Sequence, residues 1–144
     1  MLRHLDRLRL ALSLIAALSL AAAMGCSGDD GPPRVGVRGT VTYRGQPLPS
    51  GDIRFVPLPG TDTPQAGARI VDGRYAVAGG GVPVGEFRVE ILGYRRSDGS
   101  AGPVDLNDAE AAFDQFLPAN YNTASELRLT IVPGSKDIEK NFEL

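Results

Sequence analysis

The sequence predicts an all-β domain of about seven strands packed as a sandwich, and three observations predict it. Residues 39–57 alternate apolar and polar side chains, break between Gly45 and Gly51, and alternate again. That is the pattern of two short strands separated by a turn. Asp72-Gly73 lies between two further alternating runs, a strong two-residue hairpin signal. The 144 residues include 18 glycines and 11 prolines, five Phe, four Tyr and no Trp. This composition suits a turn-rich β domain with a core of Val, Ile, Leu and Phe.

The chain begins with a different kind of segment. Arg3, Arg7 and Arg9 lead into an apolar run at 10–24, and Gly25 stands directly before Cys26. A cationic start, a short apolar stretch and a small residue at the cleavage point make an export signal. The run is about 15 residues, against the roughly 20 that span a bilayer. Residues 1–25 are therefore expected to be a signal peptide with a helical centre. Residues 26–34 are small, charged and proline-containing, with nothing to bury, and are expected to form a flexible tether. The domain is expected at 35–144. Cys26 is the sole cysteine, which excludes an intrachain disulfide and with it an antibody-type Cys–Trp–Cys core.

The first two strands are expected at 35–43 and 52–57. Val41 and Tyr43 share one side of the first, and Ile53 and Phe55 one side of the second. Pro47 fixes φ between them, and Gly45 and Gly51 are expected to frame the turn. In the next hairpin, at 66–77, a two-residue turn pairs Val71 with Arg74, setting Ile70 opposite Tyr75 and Ala68 opposite Val77. Arg69 and Arg74 fall on the other face. Gly79-Gly80-Gly81 has no Gly-Lys-Ser/Thr after it and no helical pattern, so it reads as a turn rather than a phosphate loop. Residues 86–92 form the clearest strand, with Phe87, Val89 and Ile91 inward and Arg88 and Glu90 outward. Residues 95–103 are polar and glycine-rich, a loop. Residues 107–116 carry helix formers and predict a short helix with Phe113, Phe116 and Leu117 on one side. Strands at 127–132 and 138–144 close the chain.

The spacing Gly39-x-Val41, Gly45-x-Pro47-Leu48 and Gly51, followed by Gly73-x-Tyr75 and Gly85-Glu86-Phe87, resembles the transthyretin-like or carboxypeptidase regulatory-like β-sandwich. In that frame Leu48 would plug one end and Tyr75 would pack in the hairpin. Ala23-Met24-Gly25-Cys26 resembles the lipobox of bacterial lipoproteins, although Ala23 stands where Leu is usual. There the cysteine carries fatty acyl chains such as palmitate and becomes the first residue after cleavage. The whole layout is similar to small lipoproteins of the Planctomycetes type, including a late motif Leu117-Pro118, Tyr121-Asn122 and Ser125-Glu126-Leu127. The resemblance implies attachment to a membrane through Cys26. Because Ser27 follows that cysteine, it favours the outer membrane or the periplasmic face. For activity it implies little, since such domains serve as modules.

Several acyl chains, at about 0.8 kcal/mol per buried methylene, hold a protein on a bilayer stably. Cleavage before Cys26 would remove Arg3, Arg7, Arg9 and Asp6 from 15 cations and 17 anions, leaving a net charge of −4. It would also remove His4, the only histidine. That excludes Ser-His-Asp and Cys-His catalysis and any histidine-built zinc site. A pI near 5.3 argues against nucleic acid as a partner. No cofactor is implied.

Two residue sets invite function. Asp105, Asp108, Glu110 and Asp114 are the densest carboxylates, which suit calcium or acid–base work. In an EF-hand begun at Asp105, however, Ala109 takes the fifth position, Glu110 replaces the required glycine, and Phe116 replaces the bidentate glutamate. Tyr94 and Tyr121, expected in loops, are candidates for an aromatic platform against a glycan. The sequence thus favours a lipid-anchored cell-envelope protein whose non-catalytic binding or structural module meets an envelope protein partner. A carbohydrate-binding module is the alternative, and a carboxylate-dependent hydrolase or calcium-binding domain the second.

Overall fold

Apolar residues at odd positions recur through the chain, and their alternation organises the sheet. Ile53, Phe55, Phe87, Val89 and Ile91 are all fully buried, and Leu129 and Ile131 nearly so. Their even-numbered neighbours Arg54, Glu86, Arg128 and Thr130 are exposed. A strand points successive side chains to opposite faces, so one face becomes core and the other meets water. Each large side chain so buried contributes about 1.5–3 kcal/mol.

The computed structural model describes residues 31–99, 104 and 112–144. The chain divides into two compact units, Met1–Gly31 and Pro32–Leu144, and the description below concerns the second. Cys26, Asp105, Asp108, Glu110 and residues 107–111 lie outside the described residues. The strands are β1 (Arg34–Val35), β2 (Val37–Tyr43), β3 (Gln46–Pro47), β4 (Ser50–Pro57), β5 (Ala66–Val71), β6 (Arg74–Ala76), β7 (Val82–Pro83), β8 (Gly85–Arg96), β9 (Phe113–Gln115), β10 (Arg128–Ile131), β11 (Ile138–Glu139) and β12 (Phe142–Glu143). A 3-10 turn lies at Ala119–Tyr121. Among the described residues no helix is long and apolar enough to cross a membrane.

The fold is all-β. Its main sheet runs β10-β8-β4-β5-β6-β2-β11, with β3 and β12 also on β2, and β9 on β8; β1 and β7 form a separate pair. All pairings are antiparallel except those of β11 and β12, which run parallel to β2. Apolar residues face each other across β4 and β8 as Ile53 with Ile91 and Phe55 with Val89. The sheet curls so that residues from both ends of this order enter one core cluster, Leu129 and Ile131 together with Val41, Tyr75 and Phe142. Leu48 is buried in the same cluster. β1 begins at Arg34, so the pairing of the domain reaches one residue into the expected tether.

Two hairpin turns have positive φ at both central residues, Arg44 at 52° with Gly45 at 78°, and Asp72 at 48° with Gly73 at 73°. Type I′ geometry of this kind matches the twist of the flanking strands. The second turn pairs Val71 with Arg74 as expected, but the ladder stops there. Beyond it β5 follows β4, while β6 is taken by β2 with Gly39 opposite Tyr75. Ile70 and Tyr75 are still both buried, although they are not paired.

Gly51 does not frame a turn. It lies inside β4, where a side-chain carbon would come within 2.2 Å of the Leu92 carbonyl oxygen on β8. Gly39 has the same role against the C-terminus. β11 and β12 share one register on β2, interrupted at Lys140 and Asn141. The Lys140 carbonyl fills the space beside Gly39 and accepts the Tyr75 hydroxyl proton at 2.7 Å. Asn141 Oδ1 accepts the Thr40 backbone N–H at 2.8 Å and its hydroxyl at 3.0 Å. A side chain thus continues the ladder where the strand backbone leaves it.

The helix expected at 107–116 is corrected at its second half. Phe113–Gln115 is strand β9, antiparallel to β8. β8 continues to Arg96, which leaves an open edge for these residues. Ser97 N–H donates to Ala112 O at 3.0 Å and Phe116 N–H to Gly93 O at 3.0 Å, closing the ladder at both ends. Backbone pairing overrides the helix propensity of a short segment.

Candidate ligand-binding face

Tyr94 lies on a strand rather than in a loop, because β8 runs to Arg96. Its even position turns it to the face opposite Phe87, Val89 and Ile91. Two partners hold it there. Its hydroxyl donates to Asp52 Oδ2 at 3.1 Å, and its ring meets Phe113 edge-to-face at 5.1 Å between centroids. Phe113 reaches that face because β9 pairs it with Arg96, and 40% of it remains exposed.

The neighbouring strands add charge. Asp52 and Arg54 alternate with the buried Ile53 and Phe55, so they share the outer face with Tyr94. Across to β5, Asp52 stands opposite Arg69 and Arg54 opposite Gly67. With no side chain at Gly67, a shallow notch of about 390 Å³ opens, lined in part by Asp52, Arg54, Gln65 and Arg69. Two other cations of this face are engaged: Arg88 pairs with Glu90 and Arg96 with Asp98 at 3.5 Å. Arg54 and Arg69 are exposed and stand in none of the ion pairs among the described residues. Burial raises the Tyr94 phenol above its ordinary pKa, and the charge and hydrogen bond of Asp52 push the same way; Arg54 and Arg69 oppose them. The phenol therefore stays protonated and remains a donor to Asp52. The face offers an aromatic pair, a carboxylate acceptor and two guanidiniums, which is chemistry for recognition.

Tyr121 is placed elsewhere. It ends the 3-10 turn, half-buried, and meets Tyr43 edge-to-face at 6.4 Å. Tyr43 in turn meets Phe116 at 5.7 Å. The guanidiniums of Arg44 and Arg95 lie 5.1 Å and 5.9 Å from the Tyr43 and Phe116 centroids. The ring contacts of Tyr94 and Tyr121 fall in these two separate sets, so the two expected platform residues are not brought together. A depression of about 490 Å³ lies beside Tyr121, lined also by Asn120, Ala124, Glu126 and Leu127. The surrounding motif is scaffold: Leu117 is buried, Asn122 Nδ2 donates to Leu117 O at 3.2 Å, and the Ser125 hydroxyl donates to Val89 O at 2.6 Å.

Of the acidic candidates, only Asp114 is described. It is exposed on β9, opposite Arg95. Among the described residues no group of three or more His, Cys, Asp or Glu is placed to hold a metal ion. Sequence reasoning missed Asp52, Arg54, Arg69 and Phe113 as members of one face. The even spacing of Asp52 and Arg54 showed their direction; what gathers them with Tyr94 is the pairing of four strands. No family model, curated protein or solved structure matches the chain.

Proposed function

We propose that the chain is a lipid-anchored cell-envelope protein whose β domain, a sandwich of the transthyretin-like type, is a non-catalytic binding or structural module. The observation that carries the address is Gly25-Cys26 at the end of the apolar run 10–24, behind three arginines. Acylation of Cys26 would give stable membrane attachment, on the outer-membrane or periplasmic side because Ser27 follows. The sandwich assignment draws support from the single-pair joint between β5 and β6. It separates β10-β8-β4-β5 from β6-β2-β11, and both halves share one core. An envelope protein is the partner this reading favours, met by loops or by an open strand edge such as β10.

The test has two parts. Cells given labelled palmitate should label the wild-type chain and not Cys26→Ser; equal labelling would overturn the anchor. In-cell crosslinking should trap one recurrent envelope protein, and a spread of unrelated neighbours would overturn the partner.

A second reading, carbohydrate binding, is favoured by one observation: the exposed Phe113 ring against Tyr94, with the Asp52 carboxylate beside them. Aromatic surface next to a hydrogen-bond acceptor suits sugars. Polysaccharide should retard the chain in affinity gels, and Tyr94→Ala should abolish the retardation; retention of full retardation by Tyr94→Ala would overturn this reading.

A further inference from the structure

We infer that the outer face of β8, β4 and β5 binds an acidic polysaccharide, with the Tyr94–Phe113 pair against a sugar ring and the Arg54 and Arg69 guanidiniums on its carboxylate, sulfate or phosphate groups. The inference rests on the carbohydrate reading and adds the charge of the ligand. Three features of the face carry it.

First, three acidic groups around the aromatic pair and the notch have partners, while Arg54 and Arg69 stand in none of the ion pairs among the described residues. Glu86, exposed at the far end of β8, stands in none either. Glu90 is held by Arg88 and Asp98 by Arg96, and Asp52 accepts the Tyr94 hydroxyl at 3.1 Å. Arg54 and Arg69 flank the Gly67 notch outside those pairs. A guanidinium presents a planar fork that matches a carboxylate or sulfate with two parallel hydrogen bonds. Two such forks beside a notch of about 390 Å³ fit successive acidic groups of a polymer lying along the face.

Second, the aromatic pair is set in place before any ligand arrives. Tyr94 is fixed by its hydrogen bond to Asp52 and by the ring of Phe113, so ordering it on binding costs little. Phe113 keeps 40% of its surface in water, an apolar ring that a sugar face would cover.

Third, charge separates polysaccharide from other polyanions. The whole chain is net negative at −2, so long-range attraction to a polyanion is absent and binding depends on these local arginines. Asp52 repels the anionic groups of either polymer alike, but it accepts hydroxyl protons, in which sugars are rich and the DNA backbone is poor. Nucleic acid therefore fits this face less well than an acidic glycan.

The experiment uses the full chain in detergent micelles. Immobilised polygalacturonate, alginate and dextran sulfate are compared with methyl-esterified polygalacturonate, neutral dextran and single-stranded DNA. The expected result is binding to at least one acidic polymer, with the matching neutral polymer weaker by about tenfold, the scale of losing one charge-assisted hydrogen bond. The double variant Arg54→Gln with Arg69→Gln should erase that preference and leave neutral binding in place. Tyr94→Ala should abolish binding of both, and Phe113→Ala should weaken both. Circular dichroism checks folding, and Arg54→Lys with Arg69→Lys, which keeps charge but loses the fork, should bind between wild type and the glutamine variant. Equal binding of acidic and neutral polymers would overturn the inference while leaving the carbohydrate reading intact. No binding of any polysaccharide would overturn both. DNA bound as tightly as the best acidic polymer would overturn the inference in favour of unspecific polyanion binding.

Discussion

Replacing Gly39 by alanine would put a methyl carbon 1.9 Å from the Lys140 carbonyl oxygen and 2.6 Å from the carbonyl carbon. Both are main-chain atoms, so no side-chain rotation relieves the overlap, and the C-terminal segment must move off β2. Besides the bond from the Thr40 hydroxyl, which shares Asn141 Oδ1 as its acceptor, three hydrogen bonds hold that segment at this point. Lys140 N–H donates to Arg38 O at 2.8 Å, the Tyr75 hydroxyl to Lys140 O at 2.7 Å, and Thr40 N–H to Asn141 Oδ1 at 2.8 Å. At about 1 kcal/mol each, Gly39→Ala should cost about 3 kcal/mol. That is a large part of the 5–15 kcal/mol typical of a domain. At about 4 °C per kcal/mol for a domain near this size, Tm should fall by about 12 °C. Urea denaturation followed by far-ultraviolet circular dichroism measures it, since the chain has no Trp. Gly45→Ala is the control: nothing lies within 4 Å of its added carbon and only its φ of +78° is strained, a cost of about 1–2 kcal/mol. Tyr75→Phe should cost about 1 kcal/mol in the wild type and little more once Gly39→Ala has broken the same bond. A loss below about 0.5 kcal/mol for Gly39→Ala, or full additivity with Tyr75→Phe, would refute this account of the C-terminus.

Three further predictions follow from the core and its polar ties. Phe55→Ala, at a fully buried site, should cost about 3–5 kcal/mol in the same denaturation assay. Ser125→Ala removes the donor to Val89 O inside a buried contact and should cost about 1–3 kcal/mol. Burial raises the Tyr75 phenol far above its ordinary pKa of 10.0. The folded state then holds that proton more tightly than the unfolded one, so its contribution is complete below about pH 10 and is lost as pH rises beyond it. Tyrosinate absorbance should show a late-titrating group that Tyr75→Phe removes, and that variant should lose less of its stability between neutral and strongly alkaline pH.

Much of the fold was legible because period-two alternation is a local signal. Ile53 with Phe55, Phe87 with Val89 and Ile91, and Leu129 with Ile131 each announce a strand and its buried face. Asp72-Gly73 announced its turn because both residues tolerate positive φ. Arg44-Gly45 makes the same turn without an Asn or Asp to signal it. Gly39 and Gly51 could be seen as glycines, yet the atoms that require them, the carbonyls of Lys140 and Leu92, are far away in sequence. The strand at 113–115 was hidden by good helix formers, since its pairing depends on how far β8 extends. The same extension moved Tyr94 from an expected loop onto the sheet. The candidate face is distributed in the same way: Asp52, Arg54, Arg69, Tyr94 and Phe113 come from four strands, and only their register brings them together.

The central claim is attachment through Cys26, and membrane fractionation with mass spectrometry of the N-terminal peptide tests it most directly. The account predicts a membrane-bound wild type that begins at an acylated Cys26, and a Cys26→Ser chain that stays unprocessed. A wild type found in the soluble fraction, beginning elsewhere and carrying a free thiol, would contradict it.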